Sequence, residues 1–233
     1  CLSPCAGLDM YPNALVARAV ERKLDVIAVC DHNAAENVPH VMRAAREREL
    51  VVIPGMEVTS REEVHVLSLF DRMDDLQRLQ EVIYAHLSGE NDERLFGCQA
   101  IVNEQDEVEG FNPRLLIGAT GLTLLSLVRQ IHDLGGIAIA SHIDRESFSV
   151  ISQLGFIDPE IPFDALEISS RMGMADARRK YPEIGGCPLV TSSDAHRIED
   201  IGRAFTTFFL EKPTIGELKR AFAFREGRRI ADF

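Results

Sequence analysis

Acidic and histidine side chains recur at the ends of short apolar runs, at Asp31, His32, Glu57, His65, His142, Asp194 and His196. Imidazoles and carboxylates are ligands of zinc, manganese and iron, and the absence of a thiolate cluster disfavours a soft-metal site. Asp194 and His196 are two residues apart, so an extended backbone points both side chains to one side. A divalent ion held there would lower the pKa of a bound water towards about 7 and supply hydroxide as a nucleophile. The pattern therefore predicts a hydrolytic metal site.

Each of these residues also has an ordinary structural interpretation when it is taken alone. A single histidine near a strand end is more often a hydrogen-bonded core residue than a ligand, and Glu57 alone fits a helix cap or an ion pair. The order of the whole series is what favours a metal site. Structural roles are predicted for Cys30, as a buried strand residue, and for the remaining histidines His40, His86 and His132.

The elements that must position these residues alternate between helices and strands. Apolar periodicity predicts helices over 12–23, 38–49, 74–87, 122–134 and 215–224. Short apolar runs predict strands over 25–30, 51–53, 64–70, 137–140, 165–168, 189–191 and 204–210. Such alternation is typical of a parallel α/β sheet, open or closed into a barrel, which binds ligands at the carboxyl ends of its strands.

One segment departs from this alternation. The residues 96–111 read as a β-hairpin around a polar turn, inside an excursion at about 87–121. We expect residues 1–233 to form one domain that carries this excursion as an insertion.

Composition excludes several classes of protein. The chain has 233 residues, a net charge of −12 and 45% hydrophobic residues, which describes an ordinary globular protein. The acidic charge argues against broad electrostatic capture of nucleic acid, without excluding nucleic acid as a partner. No apolar run reaches the ~18 residues of a membrane-spanning helix, and no secretion signal is visible. The five scattered cysteines are not a disulfide framework and favour a cytoplasmic location.

In this order, the motifs resemble those of the polymerase and histidinol phosphatase (PHP) superfamily. Residues 27–33 are similar to that family's second motif, 54–57 and 64–67 to its middle ligands, 140–142 to its third motif and 193–196 to its fourth. The resemblance covers nearly the whole chain. It implies an α/β fold, the distorted (β/α)7 TIM-like barrel of the PHP type, which holds two or three divalent ions (zinc, manganese or iron) and hydrolyses phosphoesters.

The resemblance also implies roles for single residues. The implied metal ligands are His32, Glu57, His65, His142, Asp194 and His196. Asp31 is expected to accept a hydrogen bond from a ligating imidazole and so to orient it. Arg145 and Arg171 are candidates for binding a phosphate group, although a plain surface role fits either of them equally well.

The chain departs from the family at its first motif. The His-x-His pair that ends the family's first strand is absent, and residues 1–5 resemble the segment that normally follows it. We therefore expect the first strand and two ligands to lie outside the given sequence. Cys5 falls near a position where the family often places a further His or Asp ligand, so it is a candidate ligand, with Asp9 or no residue as the alternatives.

The leading hypothesis is a metal-dependent phosphatase that hydrolyses a small phosphomonoester with a metal-activated hydroxide. The excursion at about 87–121 would then act as a lid that shapes substrate choice. Two alternatives are a nuclease or 3′–5′ exonuclease of the same fold, which the low basic charge disfavours, and a metal-binding regulatory module without turnover. The expected partner is a small phosphorylated substrate, with no membrane involved.

Overall fold

The candidate ligands lie on a six-stranded mixed sheet. The computed structural model describes residues 2, 3 and 5–231. Its strands are β1 (Val26–Val29), β2 (Val51–Thr59), β3 (His65–Leu69), β4 (Ala100–Val102), β5 (Val108–Phe111), β6 (Ile137–Ala140), β7 (Ala165–Ile168), β8 (Leu189–Thr191), β9 (Phe208–Phe209) and β10 (Arg229–Ile230).

The helices are mostly short. They are α1 (Pro12–Glu21), α2 (Val38–Ala44), α3 (Met73–His86), α4 (Glu93–Phe96), α5 (Leu124–Asp133), α6 (Val150–Leu154), α7 (Met174–Lys180) and α8 (Ile215–Phe222), with 3₁₀ turns at Pro182–Ile184 and Ile198–Asp200. Among the described residues, no helix is both long and apolar enough to cross a membrane.

The main sheet has the strand order β1-β2-β3-β6-β7-β8 and curls into a half-barrel. Strand β3 is antiparallel to both of its neighbours, whereas β1–β2, β6–β7 and β7–β8 are parallel pairs. The prediction of a wholly parallel sheet is therefore wrong at β3. Residues 60–64 join β2 to β3, and this turn is too short for the crossover that a parallel pair requires.

Strand β2 is longer than predicted, and this changes the place of Glu57. Residues 51–54 pair in parallel with β1, and residues 55–59 pair antiparallel with β3. The apolar run predicted a strand over 51–53, but the strand continues and changes its partner between Pro54 and Gly55. Glu57 consequently lies inside a strand and not in the loop after one.

Other predicted bounds also shift. The helix predicted over 38–49 ends at Ala44, and the segment 204–210 contains only the two-residue strand β9, which pairs with β10 outside the main sheet. Beside β8, the Thr206 hydroxyl donates to the Thr191 carbonyl and accepts from its N–H, both at 2.8 Å. The Thr206 side chain thus makes the hydrogen bonds to β8 that the backbone of a strand over 204–210 would make.

Helix α5 shows how the sequence defines these elements locally. The Thr123 side chain accepts a hydrogen bond from the Ser126 N–H and caps the first turn. Its buried side chains recur at helical spacing and are Leu124, Leu127, Val128 and Ile131. The helix stops where Gly135 adopts a φ of +84°, a conformation that favours glycine.

Two apolar layers cover the two faces of the sheet. On one face, α8 packs against side chains that include Ile53, Leu69, Ile137 and Val190. On the other face, α2 and α3 pack on β2, and α5 packs on β6. The strands β3, β6 and β7 and nearly all of β2 are therefore buried on both sides, as their apolar sequences predict, whereas the edge strand β1 is only partly buried.

The predicted hairpin is confirmed as the antiparallel pair β4–β5, which stands outside the main sheet. Asn37, just before α2, holds it by donating to the Ala100 carbonyl at 3.1 Å and accepting from the Val102 N–H at 2.9 Å. The single domain over 1–233, the insertion at about 87–121 and the lid stay predictions.

The half-barrel is open between β1 and β8. A cavity of about 710 Å³ lies there, lined by the apolar residues of β1 and by Val190 of β8. A closed barrel with seven strand-helix units, and a first strand outside the given sequence, stay predictions.

Candidate metal centre

Strand pairing brings the first three predicted ligands together. His32 continues β1 and forms a parallel bridge with Glu57 of β2, while His65 begins the neighbouring strand β3. Because side chains alternate along a strand, Glu57 points to the same face of the sheet as Ile53. Ile53 belongs to the apolar layer under α8, and that layer does not extend to Glu57. The sheet face is thus apolar at one end and bears the candidate metal ligands at the other.

Glu57 is the centre of this group. Its carboxylate oxygens lie 3.2 Å from Nδ1 of His65, 3.5 Å from Nδ1 of His32 and 3.7 Å from Nε2 of His142. Burial raises the pKa of Glu57, but the imidazoles, His32 above all, hold it well below its usual range. Glu57 is therefore a buried carboxylate, 5% exposed, among three imidazoles.

Three ring nitrogens in the group lack a hydrogen bond. The Nδ1 atoms of His32, His65 and His142 are all buried and unpartnered among the described residues. A buried polar atom without a partner destabilises a fold by about 1–3 kcal/mol, so such atoms usually mark an ion or a water. One carboxylate and three imidazoles suit zinc, manganese or iron, and the residues therefore fit a divalent ion.

A second group adjoins the first. Sγ of Cys5 and one ring nitrogen each of His32 and His196 lie within 4.8 Å of one another. Burial raises the pKa of the Cys5 thiol, but the imidazoles of His196 and His32 stabilise the thiolate and lower the pKa to about 6. Cys5 in turn raises the pKa of His196 to about 9. Burial lowers the pKa of His32, but Glu57 and Cys5 outweigh it and raise the value to about 9.

Asp194 lies beside this second group and carries an ion pair. Its carboxylate is 2.5 Å from the Arg145 guanidinium and 3.7 Å from Nδ1 of His196. The two predicted residues Asp194 and Arg145 are thus brought together at the site. Arg171, by contrast, is exposed, and its backbone N–H donates to the Ser169 hydroxyl at 3.4 Å.

Asp31 reaches the site through Ser3. The Asp31 carboxylate accepts a hydrogen bond from the Ser3 hydroxyl at 3.2 Å, and the Ser3 oxygen accepts from the His32 N–H at 3.0 Å. Asp31 thus orients the backbone of His32, where the sequence suggested a bond to an imidazole.

Two of the candidate ligands have a strained backbone. His142 has a φ of +29° and Asp194 a φ of +43°, both in the left-handed region that disfavours residues with a side chain. Such strain is found mainly where function requires a particular side-chain direction.

Sequence reasoning missed two residues of the site. Glu167 of β7 is buried and accepts from the His142 N–H at 3.1 Å and from the Ser192 hydroxyl. Burial raises its pKa to about 7. An acid inside the apolar run 165–168 was the available signal. Phe148 stacks on the His65 ring with centroids 4.7 Å apart, and no local pattern indicates this contact.

The other histidines have partners away from both groups. His132 pairs with Asp164 at 2.8 Å, and His40 with Glu104 at 3.1 Å. The His86 ring bonds to a backbone carbonyl of its own helix. Cys30 is partly buried beside the site, and burial raises the pKa of its thiol well above the usual value.

Structural likeness points to proteins that share this fold. The chain has a TM-score of 0.69 and 16% identity to a lesion-specific endonuclease, EndoQ, from Pyrococcus furiosus, covering 98% of this chain and 55% of that one. The same values hold for Endonuclease Q in complex with a 27-mer duplex that has an abasic lesion at the active site. The chain thus spans about half the length of these endonucleases.

A protein from Bifidobacterium adolescentis, described as a candidate metal-dependent phosphoesterase, has a TM-score of 0.50 and 16% identity over 80% of this chain and 82% of that one. At such identities the likeness establishes the fold alone. None of the curated proteins matches the chain by sequence.

Family models match most of the sequence. A PHP-associated model matches residues 179–228, and the PHP domain model matches residues 9–148. The second range includes four of the six predicted ligands, His32, Glu57, His65 and His142. The PHP domain model matches more than half of the chain, and the chain therefore belongs to the PHP domain family.

Proposed function

We propose that this PHP chain is a metal-dependent phosphoesterase and that its substrate is a small phosphomonoester. The observation that carries the proposal is the buried Glu57 carboxylate, within 3.2–3.7 Å of three imidazoles. When bound, divalent ions supply Lewis acidity and lower the pKa of water, so no serine or cysteine nucleophile is needed.

The chain's own residues divide the remaining tasks. His32, Glu57, His65, His142, Asp194 and His196 hold the ions, which we propose to be two or three in number and to be zinc, manganese or iron. The Arg145 guanidinium is partly exposed beside Asp194, where it is able to bind a phosphoryl oxygen of the substrate. Glu167 fixes the backbone of His142 through its 3.1 Å hydrogen bond.

The alternative substrate is a nucleic acid. The fold likeness to an endonuclease in complex with a DNA duplex favours it. The net charge of −12 opposes it, because capture of a polyanion relies on a surface of lysine and arginine. A small monoester requires no such surface. A regulatory metal-binding module is the third candidate, and the cytoplasmic location stays a prediction.

Metal content and hydrolysis, measured together, test the proposal. The full-length gene product would be loaded with manganese or zinc and assayed on an aryl phosphate, an aryl phosphodiester and a duplex with an abasic site. We expect hydrolysis of the monoester, lost in His142→Ala and kept in His86→Ala, the same substitution outside the site.

The other outcomes are equally informative. Cleavage of the duplex with no monoester hydrolysis would replace the phosphatase with a nuclease. Bound metal without hydrolysis of any ester would favour the regulatory module. If neither metal binds, the proposal is wrong.

A further inference from the structure

We propose that the two ligand groups differ in chemical hardness and select different metals. Cys5, His32 and His196 form a thiolate site for zinc, and Glu57, His65 and His142 form a site for a harder ion such as manganese. This inference rests on the proposed metal centre, and it adds which metal each of the two ligand groups prefers.

The position of Cys5 supports the proposed zinc site. Its Sγ and the ring nitrogens of His32 and His196 lie within 4.8 Å of one another. Ligand atoms that share one tetrahedral zinc lie on the order of 3.5 Å apart, given Zn–S and Zn–N bonds of about 2.3 and 2.0–2.1 Å. Small side-chain rotations close that difference, because Cys5 is exposed on a loop and His196 is only half-buried.

A second observation points to a ligand beside the His32 ring, on its Glu57 side. His32 is 6% exposed, and its Nδ1 has no hydrogen-bond partner. The His32 ring belongs to both groups, since it also lies 3.5 Å from Glu57. If His32 serves Cys5 and His196, the residues Glu57, His65 and His142 still give the other ion a carboxylate and two imidazoles.

The donor atoms then set the preference. A thiolate is a soft ligand that favours zinc over manganese, and manganese is the weakest binder of the divalent series. A carboxylate with two imidazoles and water accepts a harder ion. A mixed metal content follows directly from one cysteine on one side of His32 and one glutamate on the other.

Cobalt(II) tests the thiolate bond without reference to activity. A cobalt–thiolate bond adds a charge-transfer absorption in the near ultraviolet, which imidazole and carboxylate ligands do not give. Titration of the metal-free, full-length protein with cobalt should develop this band, saturating at one equivalent. The band should be lost in Cys5→Asp and kept in Cys98→Ser, a control at a partly exposed cysteine outside both groups.

Competition between metals tests the selectivity. Cys5→Asp keeps a ligand at the position but makes it hard, so zinc affinity should fall at least ~10-fold while manganese affinity is unchanged or higher. Zinc should also protect Cys5 from alkylation by iodoacetamide, read by mass spectrometry, and leave Cys98 and Cys187 reactive.

Failure of this inference is distinguishable from failure of the proposed function. Cobalt that binds without the band, with aryl phosphate hydrolysis intact, would overturn the thiolate site and leave the phosphoesterase standing. Equal zinc affinity in the wild type and Cys5→Asp would also overturn it. Absence of any cobalt binding would contradict both.

Discussion

At the scale of single residues, one buried anion and one exposed anion determine the charge state of the site. The Glu57 carboxylate and the Cys5 thiolate raise the pKa of His32 to about 9, against the burial of its ring. Cys5 has the same effect on His196. Near neutral pH, without metal, protons on these rings balance the anions. A divalent ion takes the place of those protons, so the site is already organised for a cation.

Glu57→Gln removes the central anion with almost no change in shape. We expect metal affinity to fall by more than ~100-fold, because even residues that only orient ligands are worth about 10–100-fold. Competition with a chelator, read by elemental analysis, measures it. Glu62→Gln, a change of the same kind away from both groups, should leave the affinity unchanged, and equal losses in the two variants would count against the central role of Glu57.

At the scale of elements, β2 connects two sheet geometries, and Gly55 allows it. A Cβ at position 55 would lie 2.6 Å from Sγ of Cys30 and 2.8 Å from Cδ2 of Leu69. The Cys30 and Leu69 side chains would have to shift to admit a Cβ there, and Glu57 follows two residues later on the same face. The close packing of β1, β2 and β3 at Gly55 therefore fixes the position of the Glu57 carboxylate.

Gly55→Ala should consequently destabilise the fold. We expect the free energy of unfolding to decrease by about 1–3 kcal/mol, the usual effect of overpacking a core. Denaturant titration measures the change.

Gly216→Ala is the matched control, because a Cβ there meets nothing within 4 Å and the position lies in helix α8. It should stabilise the protein by about 0.4–1 kcal/mol. The same sign in both variants would contradict the packing argument.

Helix α8 is joined to β10 through Glu217. Its carboxylate lies 2.8 Å from Arg228, just before β10, and 2.7 Å from Arg220, and the hydrogen bond from Arg228 is the main reason that its pKa falls to about 2. Because the carboxyl pKa is lower in the folded protein than in the unfolded chain, the ionised carboxylate stabilises the fold at pH values above the unfolded pKa of 4.5. This stabilisation is lost as the pH falls towards 2.

Glu217→Gln should therefore lower Tm at pH 6, with a difference from the wild type that shrinks from about pH 5 downwards. Thermal unfolding across pH 2–7 measures it. A difference that is constant over this range would exclude the carboxylate as the cause.

At the scale of the whole molecule, the candidate site lies at the open side of the half-barrel. His32 follows β1 and His196 follows β8, the two strands at the open edges of the sheet. Their ring centroids are 6.3 Å apart, with the cavity of about 710 Å³ alongside. An ion held by both residues would connect two edges that, among the residues described in the structure, no backbone ladder joins.

Metal loading should thus stabilise the fold as a whole. At a metal concentration 100 times Kd, the free energy of unfolding should rise by about 2.7 kcal/mol. Hydrogen exchange should slow most in β1 and β8, where the bound ion acts. Thermal unfolding and exchange, with and without metal, check this, and His196→Ala should remove the slowing in β8 and reduce the gain in stability. Slowing confined to β4 and β5 would place the ion elsewhere.

Much of the fold could be predicted from local patterns. The strands β6, β7 and β8 lie at the predicted residues, and the helix predicted over 122–134 is found as α5. The direction of β3, the extension of β2 and the short helices α6 and α7 could not be predicted. Pairing direction depends on which strand lies alongside, and helices of five or seven residues carry too few apolar repeats to be recognised.

The sequence by itself determined which residue types are available for chemistry, because the family motifs place His32, Glu57, His65 and His142 at or near strand ends. Only the tertiary structure decided how they are grouped. Glu57 faces three imidazoles, Cys5 joins His32 and His196, and Glu167 enters from β7. Residues far apart in the chain meet only when the sheet curls, and the charge of each group is set by neighbours that no local pattern contains.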